Sequence, residues 1–133
     1  MKGPREHARL LLEKGSHDIV AARATIATGK AFDTVCFHAQ QAAEKALKAL
    51  LAFEDVVYPW RHDIGELLAL VKPRYPAIAE LEDGLLLLSP YAVAVRYDDA
   101  VVPDLDDAEV ALDIACRMHA LAEQLLSSAE NGA

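Results

Sequence analysis

A polar stripe along the second helical segment of the chain is the clearest candidate for chemistry. His38, Gln41, Lys45 and Lys48 follow one another at spacings of three, four and three residues. At about 100° of rotation per residue, these side chains fall within roughly 80° of one another on a helix. A lysine supplies charge, while glutamine and histidine supply directional hydrogen bonds, so the stripe suits an anion. A solvated helix face is the alternative interpretation.

A second polar cluster, Trp60-Arg61-His62-Asp63, follows that segment. Asp63 has the position of a helix N-cap, and His62 is placed to reach back over the preceding helix. Trp60 is the only tryptophan of the chain. It is either a platform for a nucleobase or a partner chain, or a side chain that packs over the end of a bundle.

A third cluster, Arg96-Tyr97-Asp98-Asp99, lies in a long connection, and long connections often carry function. In the functional interpretation Arg96 holds a phosphate, and Asp98 orients that phosphate or a histidine. A surface turn with a local Arg–Asp pair is the alternative. The three clusters together predict one ligand-binding surface, which consists of His38, Gln41, Lys45, His62, Arg96 and Asp98.

The elements that must position these residues are helices, because apolar residues recur three and four positions apart along most of the chain. The predicted helices cover about 4–29, 33–54, 63–73, 76–89 and 106–127. Asp33 and Asp63 are the expected N-caps, an Asp106-to-Glu109 capping box opens the last helix, and Gly29 closes the first. No pair of strands is indicated. The sequence therefore predicts an all-α, antiparallel up-and-down bundle of four main helices and one short helix.

The amino-acid composition limits the classes of protein to which this chain can belong. The chain has 133 residues, of which 53% are apolar and 26% charged. A packed globule is therefore expected rather than a disordered chain. We expect one domain over residues 1–133, with a core over about 8–127 and a frayed tail over 128–133. The net charge of −8 repels polyanions, so DNA is not an expected partner.

The sequence also bears on location and on common enzymatic motifs. Its first residues contain no apolar secretory core, so a secretory leader is not expected, and no uncharged run approaches the roughly 20 residues of a bilayer span. Cys36 and Cys116 lie in apolar helical patterns without a Cys-x-x-Cys pair, which indicates small buried hydrophobes. We therefore expect a cytoplasmic protein without membrane contact. Glycine-rich phosphate loops, His-Glu-x-x-His and nucleophile elbows are missing, so no catalytic residue, metal or cofactor is predicted.

Residues 37–51, which read FHAQQAAEKALKALL, are very similar to the signature helix of the HEPN domain. The His62-Asp63-Ile64 helix start and the Arg96-to-Asp99 segment also match that family. Asp18 resembles the acidic residue of its first helix, and the resemblance covers about residues 8–127. It implies an up-and-down bundle, commonly a homodimer, that associates with nucleotides or RNA. It further implies a minimal nucleotidyltransferase as the partner in a two-gene system. Some of these two-gene systems act as toxin and antitoxin.

The ribonuclease members of that family carry an arginine, then four to six residues of any kind, and then a histidine. After Arg96 the corresponding positions hold Val101, Val102 and Pro103, so this motif is missing. We therefore expect a HEPN protein that is non-catalytic or at most weakly active and that binds a nucleotide-like ligand or a nucleotidyltransferase. The apolar run over residues 85–88 leaves surplus surface for a second copy, which favours a homodimer.

Two alternatives from other functional classes stay open. The first is a metal-independent endoribonuclease toxin whose site is assembled at the dimer interface, with His38 or His62 brought in by the fold as acid or base. The second is a pure protein-interaction module whose charge of −8 matches a basic partner chain.

Overall fold

The computed structural model describes residues 3–92 and 102–132. Within these ranges the chain forms five α-helices and no strand, which confirms the predicted all-α bundle. The helices are α1 (Pro4–Ile26), α2 (Phe32–Phe53), α3 (Ile64–Val71), α4 (Glu82–Leu87) and α5 (Leu105–Asn131). Short 3-10 helices cover Pro76–Leu81 and Ser89–Tyr91. None of the helices in these ranges is long and apolar enough to cross a membrane.

The central element is α2, which packs against α1, α3 and α5. Five of its six alanines have no exposed surface; they are Ala39, Ala42, Ala43, Ala46 and Ala49. Because an alanine side chain ends at Cβ, neighbouring helices can approach α2 closely on several of its faces. The polar side chains Gln40 and Glu44 of α2 are buried as well, so each of them needs hydrogen-bond partners inside the bundle.

The start of α2 differs from the prediction. The helix begins at Phe32 rather than behind Asp33, and its N-cap is Ala31, whose backbone is left-handed with φ of 56°. No side chain caps this end. Asp33 lies in the first turn, where its carboxylate accepts a hydrogen bond from the Thr34 backbone N–H at 2.9 Å. The tight turn after α1 thus sets the helix start in place of a cap.

The start of α5 also differs. Its N-cap is Asp104, and the capping box pairs this residue with Asp107, not Asp106 with Glu109. The Asp107 N–H donates to the Asp104 carboxylate at 2.9 Å, and the Asp104 N–H donates to the Asp107 carboxylate at 3.0 Å. The two candidate boxes overlap in sequence. The earlier one adds helical residues while it satisfies the free N–H groups of the first turn.

The two short helices follow the prediction in part. Asp63 caps α3, because its carboxylate accepts a hydrogen bond from the Glu66 N–H at 3.2 Å. The segment after Pro76 is a 3-10 helix followed by the six-residue α4, rather than one continuous α-helix. Within the apolar run, Leu85 and Leu88 are buried, whereas the two leucines between them are exposed.

The C-terminal ends of α1 and α5 also differ from the prediction. α1 ends at Ile26, and Gly29, with φ of 71°, serves the turn that follows instead of the helix cap. α5 continues to Asn131, beyond the point where the tail was expected to fray. Arg9 of α1 explains the extension, because its guanidinium donates to Glu123 at 2.8 Å and to Glu130 at 3.0 Å. These ion pairs hold the last turns of α5 against α1.

The two cysteines have different surroundings, and neither forms a disulfide. Cys36 is fully buried, as predicted, and burial raises the pKa of its thiol to about 11. Cys116 is only half-buried, contrary to the prediction, and its Sγ accepts a hydrogen bond from the Arg23 guanidinium at 3.4 Å. It lies on the flank of α5 rather than on the face that packs against α2.

Candidate functional site

Glu44 of α2 is a buried carboxylate with only 2% of its surface exposed. Its Oε1 lies 2.8 Å from the Lys48 Nζ, one turn further along α2, and 2.8 Å from the His62 Nδ1 in the loop before α3. Because a carboxylate only accepts hydrogen bonds, the His62 Nδ1 carries the proton in this contact. We refer to Glu44, Lys48 and His62 as the Glu44 cluster.

Two glutamines complete the surroundings of the Glu44 carboxylate. The Gln40 side-chain amide donates to the Glu44 Oε2 at 3.1 Å, and that of Gln41 donates to the same oxygen at 3.4 Å. The Gln41 amide also donates to the Gln40 Oε1 at 2.7 Å. A buried charge is stable only when it is paired and hydrogen-bonded, and these donors supply that requirement.

A similar cluster joins α1 to α2. The Asp18 carboxylate of α1 accepts hydrogen bonds from the His38 Nδ1 at 2.9 Å and from the Lys45 Nζ at 2.5 Å. The Asp18 side chain is 12% exposed, and both partners are about a quarter exposed. We refer to Asp18, His38 and Lys45 as the Asp18 cluster. It crosses between two regular helices, whereas the Glu44 cluster ends in a loop.

A groove with a volume of about 460 Å³ opens beside these clusters. This volume lies within the range of roughly 300–1,000 Å³ that is typical of small-molecule sites. Lys45 and Lys48 both line the groove, so each cluster contributes one lysine. The lining residues are His7, Leu11, Gln41, Glu44, Lys45, Lys48, Val57, Tyr58, Trp60 and His62.

The loop between α2 and α3 forms one side of the groove. Trp60 is 97% exposed and Val57 is 92% exposed, so neither side chain packs over the bundle. The indole of Trp60 is therefore available to an external partner. A flat, exposed aromatic ring beside a groove is a stacking platform that suits a nucleobase.

Tyr58 anchors that loop to the two helices. Its hydroxyl lies 3.0 Å from the His7 Nε2 of α1, and the Lys48 Nζ lies 5.5 Å from the centre of its ring. Burial raises the pKa of the Tyr58 hydroxyl, so this group stays protonated at neutral pH. The Tyr58 side chain thus fixes the loop while it leaves Trp60 free at the edge of the groove.

The chemistry available in the groove is anion binding. A lysine ammonium has three N–H donors, and the salt bridges to Asp18 and Glu44 use one donor on Lys45 and one on Lys48. The remaining donors can bind phosphate or carboxylate oxygens. Across residues 3–92 and 102–132, no group of three or more histidine, cysteine, aspartate or glutamate side chains is arranged to hold a metal ion.

The match to a family of known proteins covers nearly the whole chain. The model of the HEPN domain matches residues 8–125. The chain belongs to the HEPN family. No match was found among the curated proteins.

Three solved structures are similar to this HEPN domain. The crystal structure of TT1696 from Thermus thermophilus is 33% identical and has a TM-score of 0.77; the match covers 89% of this chain and 97% of that one. ST0689, an archaeal HEPN homologue, is 23% identical with a TM-score of 0.74, and 95% and 99% are covered. A HEPN domain protein from Thermotoga maritima is 25% identical with a TM-score of 0.57, and 93% and 97% are covered. These likenesses agree with the helical bundle described above.

Most of the predicted site residues lie together in this HEPN domain. Gln41, Lys45 and His62 line the groove, and His38 belongs to the Asp18 cluster, whose Lys45 is one of the lining residues. The Gln41 side-chain amide donates hydrogen bonds to Gln40 and Glu44, so it stabilises the arrangement of these two side chains. The predicted ligands Arg96 and Asp98 lie outside the described residues.

Three polar side chains of the groove, those of Glu44, His7 and Tyr58, were not predicted from the sequence. A glutamate one turn before a lysine usually marks an exposed ion pair on a helix, and this pattern gave no sign that Glu44 is buried. The only available signal was its position within the alanine-rich segment. His7 and Tyr58 are 51 residues apart, and their hydrogen bond is produced by the packing of the loop on α1.

A further histidine lies on α5, where it faces α1. The His119 side chain is 16% exposed, and its buried Nδ1 has no hydrogen-bond partner within residues 3–92 and 102–132. Its Nε2 is 3.9 Å from the Glu123 carboxylate, which is beyond hydrogen-bond distance. Burial lowers the pKa of His119, although the Glu123 charge acts in the opposite direction. Burial therefore favours the neutral form of this histidine.

Proposed function

We propose that this HEPN protein binds a nucleotide in the groove, with the base stacked on Trp60 and a phosphate held by Lys48 and His62. The observation that carries the proposal is the position of a fully exposed tryptophan beside a buried, fully hydrogen-bonded Glu44 cluster. The carboxylate fixes the lysine and the histidine before a ligand arrives. Because the lysine and the histidine are already ordered, little side-chain entropy is lost when a phosphate binds.

The charge of the chain favours a small ligand over a long one. A net charge of −8 repels an extended nucleic acid, whereas one nucleotide senses mainly the local groups of the groove. The predicted contacts of Arg96 with phosphate and of Asp98 with that phosphate or a histidine would add to those made by Lys48 and His62.

Trp60 provides a direct test, since it is the only tryptophan and lies at the proposed site. We expect AMP and ATP to change the Trp60 fluorescence in a saturable manner. Lys48→Met should weaken binding roughly tenfold or more, because it removes a charged hydrogen bond to phosphate. Lys30→Met, in the exposed turn between α1 and α2, is the matched control and should bind as the wild type does. No fluorescence change and no binding heat in the wild type would contradict the proposal.

The proposed biological context is a two-gene, toxin–antitoxin-like system in which this protein is a homodimer and the partner of a minimal nucleotidyltransferase. Support for the dimer comes from α4, where Leu86 is 42% exposed and Leu87 is 61% exposed. Light scattering should give a particle of twice the 14.4 kDa chain mass. A monomer at micromolar concentration would contradict the dimer. If a basic protein co-purifies and no nucleotide binds, the interaction module is the better account.

A specific observation also favours the endoribonuclease as the second candidate. His62 is 57% exposed, and its Nδ1 is held by the buried Glu44, which leaves the other ring nitrogen available for proton transfer. His38 has the same kind of partner in Asp18. Purified protein should be incubated with RNA, with His62→Ala and His38→Ala as comparisons. Cleavage that either variant abolishes would establish the ribonuclease and overturn the non-enzymatic proposal.

A further inference from the structure

The lysine charges of the groove are already balanced by carboxylates. The Lys45 ammonium is paired with Asp18 of α1, and the Lys48 ammonium lies 2.8 Å from the Glu44 Oε1. A phosphate monoester brings close to two negative charges at neutral pH. The two lysines therefore offer such a ligand free N–H donors, but the described part of the groove has no surplus of positive charge with which to neutralise it.

His62 can supply the missing charge, because histidine is the side chain whose charge ordinarily changes between pH 5 and 8. It lines the groove and is 57% exposed. Its Nδ1 lies 2.8 Å from the Glu44 Oε1 and carries a hydrogen, so the Nε2 is the nitrogen that gains or loses a proton. The same carboxylate oxygen is paired with Lys48. A proton on His62 is therefore surplus positive charge in the free protein, and a phosphate beside the ring would balance it.

Other titratable groups lie near His62 in the chain or line the same groove; they are Arg61, Asp63, Glu66, Tyr58 and His7. Arg61 and Glu66 form an ion pair at 2.8 Å, and the Asp63 carboxylate caps α3. Burial raises the pKa of the Tyr58 hydroxyl, which lies 3.0 Å from the His7 Nε2. Each of these groups is engaged by a neighbour. Among the described residues of the groove, His62 is thus the side chain best placed to change its charge when a phosphate binds.

We infer that a phosphate group enters this groove together with a proton, which binds to the His62 Nε2. This inference rests on the proposed function, and it adds that nucleotide binding is regulated by pH. Proton uptake and phosphate binding are linked, so each favours the other by the same factor. The affinity for a nucleotide therefore falls as the pH rises above neutral, because a histidine is then harder to protonate.

Calorimetric titration of the wild-type protein with AMP counts the protons directly, when it is run at pH 7.5 in two buffers of different ionisation enthalpy. The phosphate of AMP, with a second pKa of about 6, is almost fully ionised at this pH, so any uptake belongs to the protein. We expect roughly half a proton or more per AMP, and an affinity about threefold or more weaker at pH 8.5 than at pH 7.0. AMP binding without proton uptake would overturn the inference while the proposed function stands. Failure of AMP to bind would overturn the proposed function itself.

Two histidine variants assign the proton. His62→Gln keeps an N–H donor for Glu44 but cannot take up a proton, so the uptake should fall to near zero. His17→Gln, on an exposed position of α1, is the matched control and should keep the full uptake. Uptake that persists in His62→Gln would assign the proton to another group and overturn the inference.

NMR on the wild-type protein makes the same assignment without a variant, so the inference stays testable if His62→Gln does not fold or does not bind AMP. At pH 7.5, saturation with AMP should move the His62 ring signals towards those of a doubly protonated imidazole, while the His17 signals stay in place. His62 signals that keep the positions of the neutral ring in the AMP complex would contradict the inference.

Discussion

The Asp18 and Glu44 clusters contain the same three kinds of side chain, a carboxylate, a lysine of α2 and a histidine, yet their surroundings differ. Asp18 joins two regular helices, and the His38 side chain is 28% exposed. Glu44 is almost completely buried within α2, and its histidine comes from a loop and is 57% exposed. The Asp18 cluster, whose histidine belongs to α2, therefore joins two helices. The Glu44 cluster, whose histidine belongs to a loop, opens onto the groove.

The burial of the carboxylate determines how strongly each polar cluster depends on its hydrogen-bond partners. The more deeply a carboxylate is buried, the more it depends on its partners, because water cannot replace them. In the proposed function, Glu44 thus serves stability through its carboxylate and ligand binding through the exposed faces of its partners. The Asp18 carboxylate is nearer to solvent, so its loss is partly compensated by water.

The largest expected effect is that of Glu44→Ala. Removal of this carboxylate leaves the Lys48 ammonium, whose side chain is 15% exposed, without its partner. The buried amide of Gln40 loses its acceptor as well. The free energy of unfolding, measured by urea denaturation, should fall by about 3 kcal/mol. Glu44→Gln keeps an acceptor and should lose less. A loss below about 1 kcal/mol for Glu44→Ala would remove the distinction between the two clusters.

Asp18→Ala should have a smaller effect, of about 1–2 kcal/mol on the free energy of unfolding. The side chains of His38 and Lys45 are 28% and 26% exposed, so both can gain hydrogen bonds from water when the carboxylate is gone. Urea denaturation under the same conditions allows a direct comparison. A loss as large as that of Glu44→Ala would break the proposed ranking by burial.

Among the residues that the structure describes, no carboxylate lies within hydrogen-bond distance of His119, and this histidine should make stability depend on pH. Burial lowers its pKa in the folded protein, so the unfolded chain takes up the proton first as the pH falls below about 6.5. Its contribution to stability is complete above that pH and is lost below it, as the pH falls through the folded pKa. The decrease in unfolding free energy between pH 7.5 and 5.5 should be smaller in His119→Gln. An unchanged decrease would contradict this assignment.

Gly15→Ala should have the smallest effect, a gain of about 0.5–1 kcal/mol in unfolding free energy. An added Cβ would lie 3.5 Å from the Ala42 carbonyl oxygen and from the His119 Nδ1, and 3.6 Å from the Lys45 Cβ. These are ordinary contacts, and alanine favours the interior of α1. Thermal denaturation should show a higher midpoint with AMP affinity unchanged. A lower midpoint would mean that the packing beside the Asp18 cluster has no room for a methyl group.

The sequence predicted the fold well because its signals were local. Apolar spacing placed the helices, the alanine run placed α2 at the centre, and Asp63 caps α3 as its position indicated. Asp33 and Asp106 failed as caps for a physical reason. Several residues near a helix end can satisfy the same free N–H groups, and tertiary packing and turn geometry decide which one does.

The sequence predicted mainly those site residues that share one face of a helix. The spacing of His38, Gln41 and Lys45 on α2 was visible in the sequence, and so was the position of His62 near the following helix. Which carboxylate anchors each of them was not visible, since hydrogen bonds such as that of His62 to Glu44 depend on how the loop packs. The exposure of Trp60 could not be read from the sequence either, because a lone tryptophan is compatible with both packing and binding.

The most direct test of the central claim is to map AMP binding by NMR on the uniformly labelled protein. The account predicts that the largest shift changes occur at the Trp60 indole N–H, at the His62 ring and at the backbone amides of residues 45–48. Residues near Lys30 and the exposed leucines of α4 should change little. Shift changes that are spread elsewhere, with the Trp60 and His62 signals unmoved at saturating AMP, would contradict the claim that this groove is the nucleotide site.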